Sequence, residues 1–425
     1  MPLETPRFLR RLAEERGARR AAAWAALTGL LVRVASAALF GSRLHWSDER
    51  AYFAHAARVS ENQWLGPHGF TLIPPGQYYT LGLLFHATGV SLLAARLFQA
   101  CLSAASVWLL YRLVRRFSPG AGALAAWMLA LYPLVVYTAG TLYPQSLALF
   151  LLLGCLNLLS DHVQRPSLAR AAAAGLCMGL TALTVPTVLT VSPVVAGWLW
   201  WARGFRARAL AEIAAVALCC ALAIAPWVAR NYVVEKRFIP IATVGSQILF
   251  FANNPNADPD CKELSILPRV YTPEIQAEIA RTGDENGVYF RHAMEFIRTQ
   301  PGRALYFYMK RLGHFFDFYP TTFTRHGHNS FLARIVVGVT SGPVLLLALL
   351  GAWPLLRRGG RLPALWVLVP LSWGLANAMF GVSIRYRVPV EPCILAVAAW
   401  TLWRFAFRME DSQNEEPARR PARSS

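Results

Sequence analysis

Two long stretches of this 425-residue chain contain no carboxylate: no Asp or Glu occurs between Glu61 and Asp161, nor between Asp317 and Glu391. Leu, Ala, Val and Trp fill these stretches in runs of about 20, the length of an α-helix that crosses the ~30 Å hydrocarbon layer of a bilayer. Backbone polar groups in hydrocarbon must satisfy one another, so runs of this kind fold as helices. The composition agrees, with 55% hydrophobic and 15% charged residues, where a soluble chain carries about 25% charged. An ordinary cytosolic enzyme is excluded.

Candidate spans cover roughly 21–42, 93–113, 120–139, 143–160, 168–185, 186–202, 208–229, 331–355, 362–380 and 386–404, about ten in all. Ile73 to Val90 is apolar too, but it opens on Pro74-Pro75-Gly76 and carries His86 and Gly89. Charge decides its status. If it does not cross, the clusters Arg112 to Arg116, Arg165 and Arg170, Arg203 to Arg208, Arg357 to Arg361 and the C-terminus share the side of the basic N-terminus, as the positive-inside rule requires. This pattern accounts for the formal charge of +19 without nucleic acid.

The sequence therefore predicts a cytoplasmic N-terminus (1–20), a first span (21–42) and an outer loop (43–92) with interfacial helices. Transmembrane helices (93–229), an outer helical segment (230–330), C-terminal spans (331–404) and a disordered cytoplasmic tail (405–425) follow. Within the outer loop, Tyr52, His55 and Val59 recur at helical spacing and Trp64 suits a headgroup boundary. In the outer segment Thr272 can cap one helix and Pro301 can open another. Six of the seven cysteines lie in apolar runs and Cys261 in a polar one, so neither a disulfide framework nor a zinc motif is indicated. The histidines have no metal-ligand spacing, and no divalent metal or other cofactor is required.

Ionisable residues near one face carry the chemistry. Asp48 and Glu49 follow the first span, where a carboxylate could take a proton from an attacking hydroxyl; the pair could equally cap the helix that begins there. Arg385 and Arg387 flank Tyr386 and suit a lipid-linked phosphate, or lipid headgroups alone. Lys310 and Arg311 precede an aromatic stretch before a span. Asn253 and Asn254 precede Pro255, so their amides could present hydrogen bonds from a tight turn. Arg33 and Arg96 lie within or at the start of spans, where burial demands partners.

The order of these pieces resembles the polyprenyl-phosphate-sugar-dependent glycosyltransferases of the GT-C type, glycosyltransferase family 39, which includes protein O-mannosyltransferases and aminoarabinose lipid A transferases. The resemblance runs from Arg33 to Trp403. It rests on Asp48 and Glu49 with Tyr52 following, on PPGQYY with Tyr78, on ARLFQACLSAASVWLLYRLVRRF, on PWVARNYVVEKRFIPIATVGSQILFFANNP, on FIRTQPGRALYFYMKRLGHFF and on RYRVPVEP. It implies an all-α polytopic GT-C fold, catalysis at Asp48 with Glu49 beside it, and a donor phosphate held by Arg385 and Arg387 with help from Lys310 or Arg311. Tyr52, Tyr78, Asn253, Asn254 and Tyr386 would contact substrate. Gln145 stands where many relatives have an acid, a departure that weakens the implication of a second catalytic carboxylate and of a carboxylate-based metal site.

Together these readings predict an inverting membrane glycosyltransferase. It would pass a sugar from a polyprenyl phosphate to a lipid, glycan or protein acceptor at the outer face of the plasma (inner) membrane. A polyprenyl-phosphate-linked glycan binder or transporter without transferase chemistry is the alternative. The sequence names neither sugar nor acceptor.

Overall fold

The computed structural model describes residues 12–67, 70–258, 270–317, 331–381 and 383–415. Cys261, His326, His328 and the end of the predicted tail lie outside them. Among the described residues the chain is helical throughout, without strands. Among the described residues six helices are long and apolar enough to cross a membrane: α1 (Glu15–Phe40), α4 (Leu92–Arg115), α7 (Gln145–Gln164), α10 (Arg208–Glu235), and the segments Ile335–Arg357 of α15 (Phe331–Arg358) and Ile384–Ala406, which ends in α17 (Glu391–Glu415). The protein is a multi-pass membrane protein.

The remaining predicted spans are helical but shorter or broken. Helices α5 (Pro119–Leu131) and α6 (Pro133–Ala139) meet at 54°, because Pro133 has no N–H to continue α5 and forces Tyr132 out of helical geometry. Helices α8 (Leu168–Thr184), α9 (Ser192–Ala202, preceded by a 3-10 turn at Pro186–Val191) and α16 (Leu365–Asn377) account for the others. In α8, Gly175 and Gly179 bring the backbone against Val216 and Cys220 of α10: an added Cβ would sit 2.2 Å and 2.6 Å from their carbonyl oxygens. Such close approach is the usual packing device between membrane helices.

Ion pairs and carbonyl contacts sort the bundle's two ends. At one end Glu15 pairs with Arg115 at 2.6 Å, Arg116 with Asp161 at 2.7 Å, and Arg203 with Glu212 at 2.9 Å. Arg361 donates to Ala202 O there, so the basic loops collect together. At the other end lie Gly41, Asp48, Gly140, Leu142 and Arg385, joined by the contacts described below.

Helix α2 (Ser47–Ser60) and helix α3 (Gly76–Thr88) pack together at the Asp48 end, with Gly82 against Val59. Gly76 abuts Thr184, where α8 finishes, and α4 begins just after α3. At 13 residues, α3 is about 20 Å long and starts and finishes at the same end of the bundle. The outer segment holds α11 (Val244–Ala252), α12 (Pro273–Thr282), α13 (Glu285–Thr299) and α14 (Pro301–Phe315). Its aromatics form two small cores of its own, one around Phe250, Val288 and Tyr289 and one around Phe296 and Phe307. Thr272 occupies the N-cap position of α12, but its side chain caps no backbone N–H.

Candidate active site

The predicted acidic pair separates into two environments. Glu49 is fully buried; its Oε2 accepts the N–H groups of His45 (2.7 Å) and Trp46 (3.0 Å), and its Oε1 accepts the N–H of Leu142 (3.0 Å). It therefore caps α2 and bridges the 41–46 loop to the 140–144 loop. Asp48 is half-exposed, with its Oδ2 3.0 Å from Arg385 Nη1 and its Oδ1 3.3 Å from Ser47 Oγ.

Buried polar side chains hold both loops by their backbones. Arg96 donates to the carbonyls of Gly41, Arg43 (2.6 Å) and Gly140 (3.0 Å), Gln99 to Tyr143 O (2.8 Å) and Gln77 to Leu142 O (3.1 Å). The partner that burial demands of Arg96 is thus the backbone carrying the Asp48 region. Arg33 is likewise spent, on Ser103 Oγ and the carbonyls of Gly29, Leu129 and Ala130.

Arg385 lies between aromatic rings, 4.5 Å from the centre of Tyr143 and 5.3 Å from that of Tyr386, arrangements that favour a cation. Tyr143 escaped the sequence reading, although it sits two residues from the Gln145 that drew attention. The Tyr52 phenol is buried beside this group; burial pushes its pKa up, and the Arg385 charge opposes that. Tyr386 is pinned through its carbonyl, which accepts from Trp373 Nε1 at 2.9 Å.

Other predicted site residues serve the framework. Arg387 is fully buried; its Nε meets Glu391 Oε1 at 2.6 Å and its Nη1 donates to Phe315 O and Asp317 O. Arg385 and Arg387 lie on a 3-10 turn, Ile384–Val390, and residues two apart there stand about two-thirds of a turn apart. Their guanidinium groups are engaged by different carboxylates, Asp48 and Glu391. Arg311 is buried against Ala378 O, Ala252 O and Asn253 Oδ1, and Lys310 lies exposed over Tyr306 at 5.9 Å.

The Asn253 amide donates to Leu249 O and Met379 O, each at 2.9 Å. That of Asn254 donates to Phe250 O and Phe251 O, and its carbonyl accepts Asn256 N–H. Both close the turn. Tyr78 is buried, with its hydroxyl on Phe70 O at 3.0 Å. The PWVARNY motif is also structural: Trp227 Nε1 donates to Ile241 O, Asn231 to Ile239 O, and Arg230 to three loop carbonyls. Among the described residues no three His, Cys, Asp or Glu side chains gather as metal ligands.

Comparison with known proteins bears on this arrangement. Residues 73–229 match the model of the dolichyl-phosphate-mannose-protein mannosyltransferase family. The oligosaccharyltransferase AglB from Archaeoglobus fulgidus, in complex with an inhibitory peptide and a dolichol-phosphate, superposes with TM-score 0.57 at 17% identity over 96% of this chain. The chain has the GT-C glycosyltransferase fold. A second Archaeoglobus fulgidus oligosaccharyltransferase structure, with Zn and sulfate, gives 0.55 at 15% identity over 92% of the chain. The chain spans about half, 52%, of those proteins. ArnT from Cupriavidus metallidurans bound to undecaprenyl phosphate gives 0.46 at 18% identity, over 90% of this chain and 78% of that one. Direct sequence comparison with curated proteins finds no match. The GT-C resemblance stated from the sequence motifs is borne out, as is the all-α polytopic fold.

Proposed function

We propose that the protein is a membrane glycosyltransferase that takes a sugar from a polyprenyl-phosphate donor and passes it to an acceptor at the outer face of the plasma membrane. The observation that carries this reading is the Asp48–Arg385 pair, built at the end of a GT-C bundle opposite the basic loops. By the positive-inside rule the basic end is cytoplasmic and the Asp48 end is outside. The matched family is named for a lipid-phosphate-linked sugar donor, in keeping with a donor of that class.

The geometry supports a single displacement. An acceptor hydroxyl next to Asp48 attacks the anomeric carbon as the bond from that carbon to the phosphate oxygen breaks, and Asp48 takes the hydroxyl proton. The negative charge leaves on the lipid phosphate, where Arg385 neutralises it. Attack opposite the leaving group inverts the anomeric carbon. Glu49, with both oxygens engaged by backbone N–H groups, positions Asp48, and Arg387 braces the turn that presents Arg385. A divalent metal is not required by these steps.

The test is transfer from radiolabelled polyprenyl-phosphate sugar by purified protein in detergent, with Asp48→Asn as comparison. Transfer lost with donor binding kept supports the reading. Equal activity in the variant removes Asp48 from the mechanism, whereas donor binding without transfer by the wild type favours a binder or transporter.

A further inference from the structure

The loop that follows α2 forms a second feature at the Asp48 end. Arg58, Asn62, Gln63, Trp64, Leu65, Gly66 and Pro67 line an open groove of about 790 Å³. Its carbonyls from Gln63 to Pro67 are engaged. The carbonyl of Gln63 accepts Gly66 N–H, that of Trp64 accepts the Tyr79 hydroxyl, and those of Leu65, Gly66 and Pro67 accept the Arg230 guanidinium. Gly66 has φ +60°, and a Cβ there would come within 2.4 Å of the Phe70 ring, so the loop is locked against the core beneath it.

The groove's side chains are left over. Trp64 is 39% exposed and lies nearly parallel to Tyr79, at 24°. Arg58, Asn62 and Gln63 are exposed, and among the described residues their side chains make no hydrogen bond or ion pair. A rigid backbone carrying an indole and two amides is preorganised for binding.

We propose that this groove binds the carbohydrate of the acceptor, as a neutral glycan chain. A sugar ring presents a flat C–H face, which suits an indole, and flanking hydroxyls, which suit amides that both donate and accept. A peptide would find few backbone acceptors here, because the carbonyls from Gln63 to Pro67 are engaged. A phospholipid headgroup calls for several cations, and Arg58 is the single one among the lining residues. The acceptor is favoured over the donor because Asp48 and Arg58 share α2, ten residues or about 15 Å apart, while the phosphate cation comes from another element. This assignment rests on the transferase reading for its role, and on the groove alone for its ligand.

Full-length protein in nanodiscs of zwitterionic lipid is to be probed with an array of neutral oligosaccharides of about two to six units. The expected result is binding that falls at least about tenfold in Trp64→Ala and survives largely in Trp64→Phe. The Tyr79 hydrogen bond is to the Trp64 backbone, so Trp64→Ala keeps it and loses the ring stacking; if that variant unfolds on heating at a lower temperature, the double variant Asn62→Gly, Gln63→Ala decides instead. In the transfer assay Trp64→Ala should raise acceptor KM about tenfold for a glycan acceptor with little change in kcat. No oligosaccharide binding by the wild type, or equal binding by Trp64→Ala and the double variant, overturns the proposal. So does a Trp64-dependent preference for vesicles of anionic lipid. Glycan binding that depends on Trp64 in a protein without transfer activity refutes the transferase reading and leaves the groove's ligand assigned.

Discussion

Asp48 and Arg385, 337 positions apart, meet through one 3.0 Å contact between Oδ2 and Nη1. On the proposed mechanism, base and phosphate-binding cation are therefore stored against each other before substrate arrives, and a lipid phosphate draws Arg385 away so that Asp48 can receive a proton. Asp48→Asn should lower kcat by about 10²- to 10⁴-fold, the range of a lost general base. Arg385→Gln should both raise donor KM and lower kcat, and Arg385→Lys should restore charge without the stacking between Tyr143 and Tyr386. Steady-state kinetics with varied donor separates these outcomes.

Arg387 and Glu391 behave differently. Both are fully buried and 2.6 Å apart, so removing one leaves a buried charge unpaired, a loss of about 3–5 kcal/mol. Arg387→Met should lower the thermal unfolding temperature sharply, and adding Glu391→Leu should recover much of it. Equal stability of the single variant and the wild type would contradict a framework role.

Asn253→Ala removes bonds to Leu249 O, Met379 O and Arg311. It should cost about 1–3 kcal/mol through buried groups left unsatisfied, while the surviving protein keeps its donor and acceptor KM. A raised KM with unchanged stability would place Asn253 in contact with substrate.

His55 supplies a pH dependence. It packs against Phe70 at 4.3 Å and Tyr78 at 5.2 Å, and burial, reinforced by Arg58, lowers its pKa. A lowered pKa in the fold means that the unfolded chain binds the proton more readily. Stability is complete above the unfolded value of about 6.5 and drains away as pH falls toward the folded value. Hydrogen-exchange protection factors in α2 and the 61–67 loop, corrected for the intrinsic exchange rate at each pH, should therefore fall below about pH 6.5, and His55→Gln should flatten that response.

Topology can be checked by labelling with an impermeant thiol reagent in a cysteine-free background. Gly66 is a poor site for a reporter, since its Cβ would strike Phe70. Exposed Glu61 and Val90 flank α3 and Phe117 lies beyond α4. Cysteines at 61 and 90 should react from the same side and one at 117 should not. Reaction of positions 61 and 90 from opposite sides would show that α3 crosses.

The helices were legible in the sequence because a bilayer imposes length and apolarity on every crossing segment, and those demands leave a plain trace. The gathering of the basic loops could be read from Arg positions alone. What could not be read is where each polar side chain spends its hydrogen bonds. Arg385 and Arg387 look equivalent as RYR, and only the 3-10 turn sends one to Asp48 and the other to Glu391. Asn253 looks like a ligand-presenting amide until Met379 and Arg311, distant in sequence, claim it. Tyr143 has no local mark at all, since its role comes from the loop that Gln99 and Glu49 hold beside Arg385.

Arg96 and Glu49 clamp the loops around Asp48 through main-chain groups, those of Arg43, His45, Trp46 and Leu142 among them. A clamp of this kind is blind to the side chains it holds. Exposed positions 43 and 45 can therefore drift during evolution, or be recoded by an engineer, without releasing Asp48, a freedom withheld from positions 49 and 96 and from Leu142, which is buried in the core.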